Sequence, residues 1–73
     1  METRLSQMRP GELAQIVTIE GGHGLRQKLF LRGIFEGSIV RVVSCQGPIT
    51  VEIDRNMVSM GRGMAQKINV SRI

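Results

Sequence analysis

A mainly β domain is the fold this chain predicts: a small barrel of about five strands with one or two short helices packed across it. Three observations carry that expectation. "GPITVEID", 47 to 54, alternates apolar and polar residues with a period of two. Other β-rich segments are separated by glycine-marked turns at intervals of a few residues. Between them lies "GLRQKLFLR", 24 to 32, which has no β-branched residue and many good helix formers. At 73 residues the chain has room for one small domain, taken as residues 1–73. Such a domain buries about 60% of the surface of its extended chain, which leaves a slim stability margin and little room for an elaborate active site.

Residues 1–12 are polar except for Met1, Leu5 and Met8, and the spacing of Leu5 and Met8 suits one helical turn that plugs the core. "RPG", 9 to 11, ends that turn, because proline restricts its predecessor and Gly11 accepts a turn conformation open to few other residues. "AQIVTIE", 14 to 20, reads as the first strand. In the 24–32 helix, Leu25 and Leu29 share one face at i,i+4, and Phe30 and Ile34 share another. The apolar face is broad, as in a helix wedged against a sheet, with Leu29 and Phe30 covering an open end. Gly33 is placed to stop the helix in the left-handed conformation.

"EGSIVRVVSC", 36 to 45, turns at Glu36-Gly37 and becomes the second strand. The third carries Ile49, Val51 and Ile53 on its buried face. "DRN", 54 to 56, reads as a hairpin turn with Asn56 accepting positive φ. The returning strand points Val58 and Met60 inward, and Met57 and Ser59 outward. "GRGMAQK", 61 to 67, reads as a short helical turn bringing Met64 and Ala65 to the core, and "INVSRI", 68 to 73, closes with Ile68 and Val70 buried. Closing the strands into a barrel would remove exposed sheet edges.

Composition narrows the function. Ten Lys and Arg against six Asp and Glu give a net charge of +4. The basic residues are scattered among acidic ones, so anionic partners are favoured by steering without a nucleic-acid footprint. With Phe30 and Phe35 as the only aromatics, a base-stacking platform is poorly supplied, and both rings are expected in the core or at its rim. One cysteine, Cys45, excludes an internal disulfide, and with no secretory segment after Met1 a reducing cytoplasm is expected. No apolar run reaches the roughly 20 residues of a spanning helix, so direct membrane insertion is not expected.

His23, the only histidine, lacks the nearby Cys or His of a zinc site and reads as a solvent-facing turn residue. No third residue orients a His23–Cys45 dyad, and Glu52 and Asp54 on one strand face serve solubility. "GGHG" and "GRG" do not match a phosphate loop. No enzyme is expected. Met57, apolar and outward, is a mark of a contact surface.

The order of these features resembles the ferrous iron transport protein A family, FeoA, and the SH3-like C-terminal domain of iron-dependent repressors. The resemblance spans nearly the whole chain. It is carried by Leu5 and Pro10-Gly11, by "LRQKLFLRGIFEGSIVRVV" at 25 to 43, by "GPITVEID", and by "VSMGRGMAQKINV" at 58 to 70. Phe35 stands where proline is common and Met60 where leucine is usual. What the resemblance implies is a cytoplasmic accessory protein of bacterial ferrous iron uptake, acting with the membrane permease FeoB by docking on its cytoplasmic part. Arg26, Lys28 and Arg32 of the helix, with outward Met57, are the expected partner contacts. Charge reversal at Arg26 and Lys28 is then expected to weaken docking and leave folding intact.

The family motifs fix no metal ligand. An alternative reading is a metal-binding or sensing module of the repressor type, for which a divalent transition metal, Fe2+ or Mn2+, would be the cofactor. An RNA-binding small barrel is a further alternative, with salt-sensitive affinity. Self-association through an apolar rim at Met57 or Phe35 stays open.

Overall fold

The strands form one sheet of six, and the sheet is open. In the computed structural model, which describes residues 2–73, the chain order is β1 (Glu2–Arg4), a 3₁₀ turn (Leu5–Gln7), β2 (Leu13–Ile19), α1 (His23–Leu31), β3 (Ile39–Ser44), β4 (Ile49–Ile53), β5 (Asn56–Met60), α2 (Arg62–Ala65) and β6 (Ile68–Arg72). The strands lie side by side as β1-β6-β2-β3-β4-β5, every neighbouring pair antiparallel.

The expected closed barrel of about five strands is therefore corrected on two points. There are six strands, because Glu2–Arg4 pairs with β6 in the register Thr3↔Val70. The ring does not close, because the outermost strands, β1 and β5, pair with β6 and β4 alone. Alternation within a strand reports which face is buried and says nothing about which strands meet at the ends of the sheet. "ETR" carries no apolar alternation, so β1 left no mark in the pattern. The mainly β character and the two helices stand as expected.

One face of the sheet supplies the core. Ile49, Val51 and Ile53 of β4, Val58 and Met60 of β5, and Ile68 and Val70 of β6 are all buried, as period two requires. In β2 the parity breaks: Ala14, Ile16 and Ile19 are all buried. A register shift against β6 between Ile16 and Thr18 explains it, since one extra residue, Val17, turns the following side chains to the opposite face. A similar shift between Val42 and Ser44 lies in the β3–β4 ladder. Such bulges bend a strand, which helps the sheet wrap around Leu5 of the 3₁₀ turn, Leu29 of α1 and Ala65 of α2, all fully or almost fully buried. Met8 is buried and Met64 packs half-buried against the cluster. Met1 lies outside the described residues.

Helix α1 seals the core through Leu29, 2% exposed, with Leu25 packed partly beside it. Phe30 does not share the task. It is 62% exposed, and its ring centroid lies 5.5 Å from that of exposed Phe35. The partner expected for it on the same face, Ile34, lies past the helix end and is fully buried instead. The end itself is a Schellman motif: the Ile34 N–H donates to Leu29 O (2.8 Å) and the Gly33 N–H to Phe30 O (3.0 Å). Gly33 has φ 87°, the left-handed value this motif needs and a side chain resists. Buried Leu29 and Ile34 bracket the motif.

The loop into β3 is tied by one polar side chain that no pattern in the chain singles out. Ser38 is buried; its hydroxyl donates to Gly33 O (3.0 Å) and accepts from the Phe35 N–H (3.2 Å). Among the described residues, no buried side-chain polar atom lacks a partner.

The β4–β5 turn differs from its expected form. Asn56 begins β5 opposite Ile53, which leaves Asp54 and Arg55 as a two-residue loop with φ 48° and 70°. Two successive positive values are the mark of a type I′ turn. The left-handed residues are Asp54 and Arg55, because the pairing Ile53↔Asn56 places the asparagine already in the ladder.

Candidate docking surface

Helix α1 and strand β5 present the four residues expected to meet a partner, and the helix divides them. At 100° per residue, positions 28 and 32 lie on one side, while 26 and 30 lie on another. Arg26 lines a shallow pocket of about 270 Å³ with Ile19, Phe30, Ile34, Phe35 and Glu36. Its guanidinium already has a partner, an ion pair with Glu36 at 3.0 Å, both side chains about half exposed. Exposed pairs of this kind contribute little to stability. What this one does is neutralise part of the positive field on that side.

Lys28 and Arg32 flank a second hollow with Leu29, Leu31 and Met64. Neither engages a carboxylate among the described residues, where the ion pairs are Arg26–Glu36 and Arg72–Glu12. Arg32 also borders an open groove of about 470 Å³, lined in addition by Leu31, Gly33, Ile53, Asp54 and residues 56–59. Met57 stands in that lining, 59% exposed. The structure thus brings Arg32 and Met57 to one groove, sets Lys28 beside it, and leaves Arg26 on a different side with the two phenylalanines.

Leu31 was not anticipated. It is the most exposed large apolar residue of the helix, at 78%, and it lies between the two hollows that share Arg32. A signal for it existed. Three consecutive apolar residues at 29–31 cannot all face one core from a helix, and the burial of Leu29 forces its neighbours outward.

His23 is the first residue of α1 and is exposed. Cys45 is partly buried against the core, and its carbonyl accepts a hydrogen bond from the Arg62 guanidinium. Among the described residues, no three of His, Cys, Asp and Glu gather as a metal centre would require. No helix among them is long and apolar enough to cross a membrane.

Comparisons with known proteins bear on the family of the chain. A candidate Fe(2+) transport protein A from Methanocaldococcus jannaschii is 34% identical over 67 residues, which cover 90% of this chain and 82% of that protein. The crystal structure of an iron uptake regulatory protein, FeoA, superposes with a TM-score of 0.93 at 34% identity, covering 100% of this chain and 99% of the other. A manganese-dependent transcriptional repressor contains a similar fold, with a TM-score of 0.89 and 26% identity; the match covers 99% of this chain and 42% of the repressor. That likeness bears out the expected kinship to a repressor module. FeoA-type domains are non-catalytic adaptor modules, in keeping with the sequence reading of a chain that is not an enzyme. The FeoA domain family model matches residues 3–72, nearly the whole chain, and this chain belongs to the FeoA family.

Proposed function

We infer that this chain is an accessory protein of ferrous iron uptake that works by docking on the cytoplasmic part of a FeoB-like permease. The accessory role follows from membership of the FeoA family, with residues 3–72 matched. Docking is the finer reading, and one observation carries it. Arg32, without a carboxylate partner, lines a groove with exposed Leu31 and Met57, and Lys28, likewise unpaired, lines the adjoining hollow with Leu31. Exposed apolar side chains beside unpaired cations suit a protein surface better than a small ligand, because the hollows are open.

A calorimetric titration of the chain into the soluble GTP-binding domain of such a permease tests the reading. Saturable binding is expected, and Lys28→Glu with Arg32→Glu is expected to weaken it by about tenfold or more. Arg26→Glu is expected to do less, because Glu36 already holds that charge. The absence of binding by the unaltered chain, or equal affinity in the double variant, would reject docking through this side.

A further inference from the structure

We propose that β5 is a receiving edge: an extended, acidic and apolar segment of the docking partner adds to the sheet as a strand beside it. The inference rests on the docking reading above and specifies how contact is made.

The groove beside Arg32 is lined by Asn56, Met57, Val58 and Ser59, four consecutive residues of one strand. Side chains of a strand alternate between faces, so four in a row reach a groove only where it runs along the backbone edge itself. The register says which backbone groups lie there. Ile53 and Asn56 close a two-residue turn and so form a hydrogen-bonded pair, which makes Glu52↔Met57 and Thr50↔Ser59 non-hydrogen-bonded pairs. The N–H and C=O groups of Met57 and Ser59 therefore point away from β4, into the groove. Among the described residues, β5 pairs with β4 alone, and no backbone bond outside that ladder involves residues 56–60.

Sheet edges are ordinarily protected by shortness, charge, proline or cover. β1, at the other edge, is three residues long and carries Glu2 and Arg4, with Arg4 bonded to Gln66 O at 2.7 Å. β5 is five residues, "NMVSM", with no charge and no proline. An edge left open in this way is a template for another strand.

Charge selects the occupant. Arg32 lines the groove and Lys28 the hollow that adjoins it at Leu31, both without carboxylate partners; Arg55 stands in the adjoining turn, and Asp54 is the one acid of the lining. A second copy of the chain would bring two molecules of net charge +4 together with their cationic flanks adjacent, which disfavours self-pairing. An incoming strand bearing carboxylates for Lys28 and Arg32, with apolar side chains for Leu31 and Met57, satisfies both the charge and the exposed apolar side chains.

Amide hydrogen exchange on the full chain tests this, with a synthetic peptide of alternating glutamate and valine as the probe and its lysine–valine counterpart as control. The glutamate peptide is expected to slow exchange at Met57 and Ser59 by about tenfold or more, and the lysine peptide to leave it unchanged. Ser59→Pro, which removes one outward donor, is expected to abolish the protection. Lys28→Glu with Arg32→Glu, which leaves the strand intact, is expected to weaken peptide binding independently. Free-state exchange at both amides under saturating peptide would overturn the inference. Protection that grows with the concentration of the chain alone would overturn it in favour of self-pairing. Binding of the permease domain with protection elsewhere would overturn the receiving edge and leave docking standing. Protection by the peptide without any binding of the permease domain would remove docking and retain the edge.

Discussion

The junction after α1 and the tip of the β4–β5 hairpin are both tight reversals, and they are built in opposite ways. At the junction, each conformational demand is met by a residue suited to it. Gly33 takes the left-handed position, Ile34 and Leu29 bracket the Schellman bonds from the core, and Ser38 holds both Gly33 O and the Phe35 N–H. At the hairpin tip, Asp54 and Arg55 occupy two positive-φ positions that glycine or asparagine would take more easily. Neither residue is buried. The first reversal is over-determined because the closure of the core depends on it. The second is held by the ladder of β4 and β5 and retains a charged, exposed side chain at a conformational cost.

Substitutions in the two places should separate these descriptions. The largest effect is expected from Leu29→Ala, which removes a fully packed side chain where the helix meets the sheet. A loss of about 2 to 5 kcal/mol is the usual range, enough to leave a domain of this size largely unfolded at moderate denaturant in an equilibrium titration. Gly33→Ala is expected to cost about 1 to 2 kcal/mol. The new Cβ would stand 3.5 Å from Ile53 Cγ2, an ordinary contact, so the loss would come from the φ of 87° alone. A thermal midpoint equal to that of the parent would show that the motif is less constrained than its bonds imply. The smallest effect, with opposite sign, is expected from Arg55→Gly. Relief of the left-handed strain outweighs the added freedom of the unfolded chain by about 0.5 kcal/mol. A fall in the midpoint would mean that Arg55 makes a stabilising contact in solution and that the tip is not the strained end of the pair.

The same two regions show how far the sequence could be read. Gly33 was legible because a glycine directly after a run of helix formers has few other uses, and the buried face of β4 was legible because Ile49, Val51 and Ile53 alternate without a break. Asp54 and Arg55 were not, because the left-handed positions follow from the pairing Ile53↔Asn56, a property of two strands together. The expected closure of the sheet into a barrel was wrong for a related reason. Whether end strands meet is decided by bulges, by a three-residue strand of polar sequence and by the placement of a helix end, none of which leaves a period in the chain. At the candidate surface, residue types were readable and grouping was not. Arg26, Lys28 and Arg32 look like one basic set in the sequence, yet helical geometry and Glu36 divide them, and Leu31 and Phe30 are outward because Leu29 claims the core.

The position of β6 has a temporal corollary. The sixth strand in chain order lies between the first two, so β1 has no neighbour and β2 lacks one until residues 68–72 are available. The meander from β3 to β5 needs only short loops and is free to assemble first, while the two ladders of β6 wait on long closures, from Ile19↔Ile68 to Glu2↔Ser71, of the kind that slow β-rich chains most. During that interval a growing chain would display Ala14, Ile16 and Ile19 on a strand without its partner. During synthesis, then, the chain shows apolar side chains that its folded state covers.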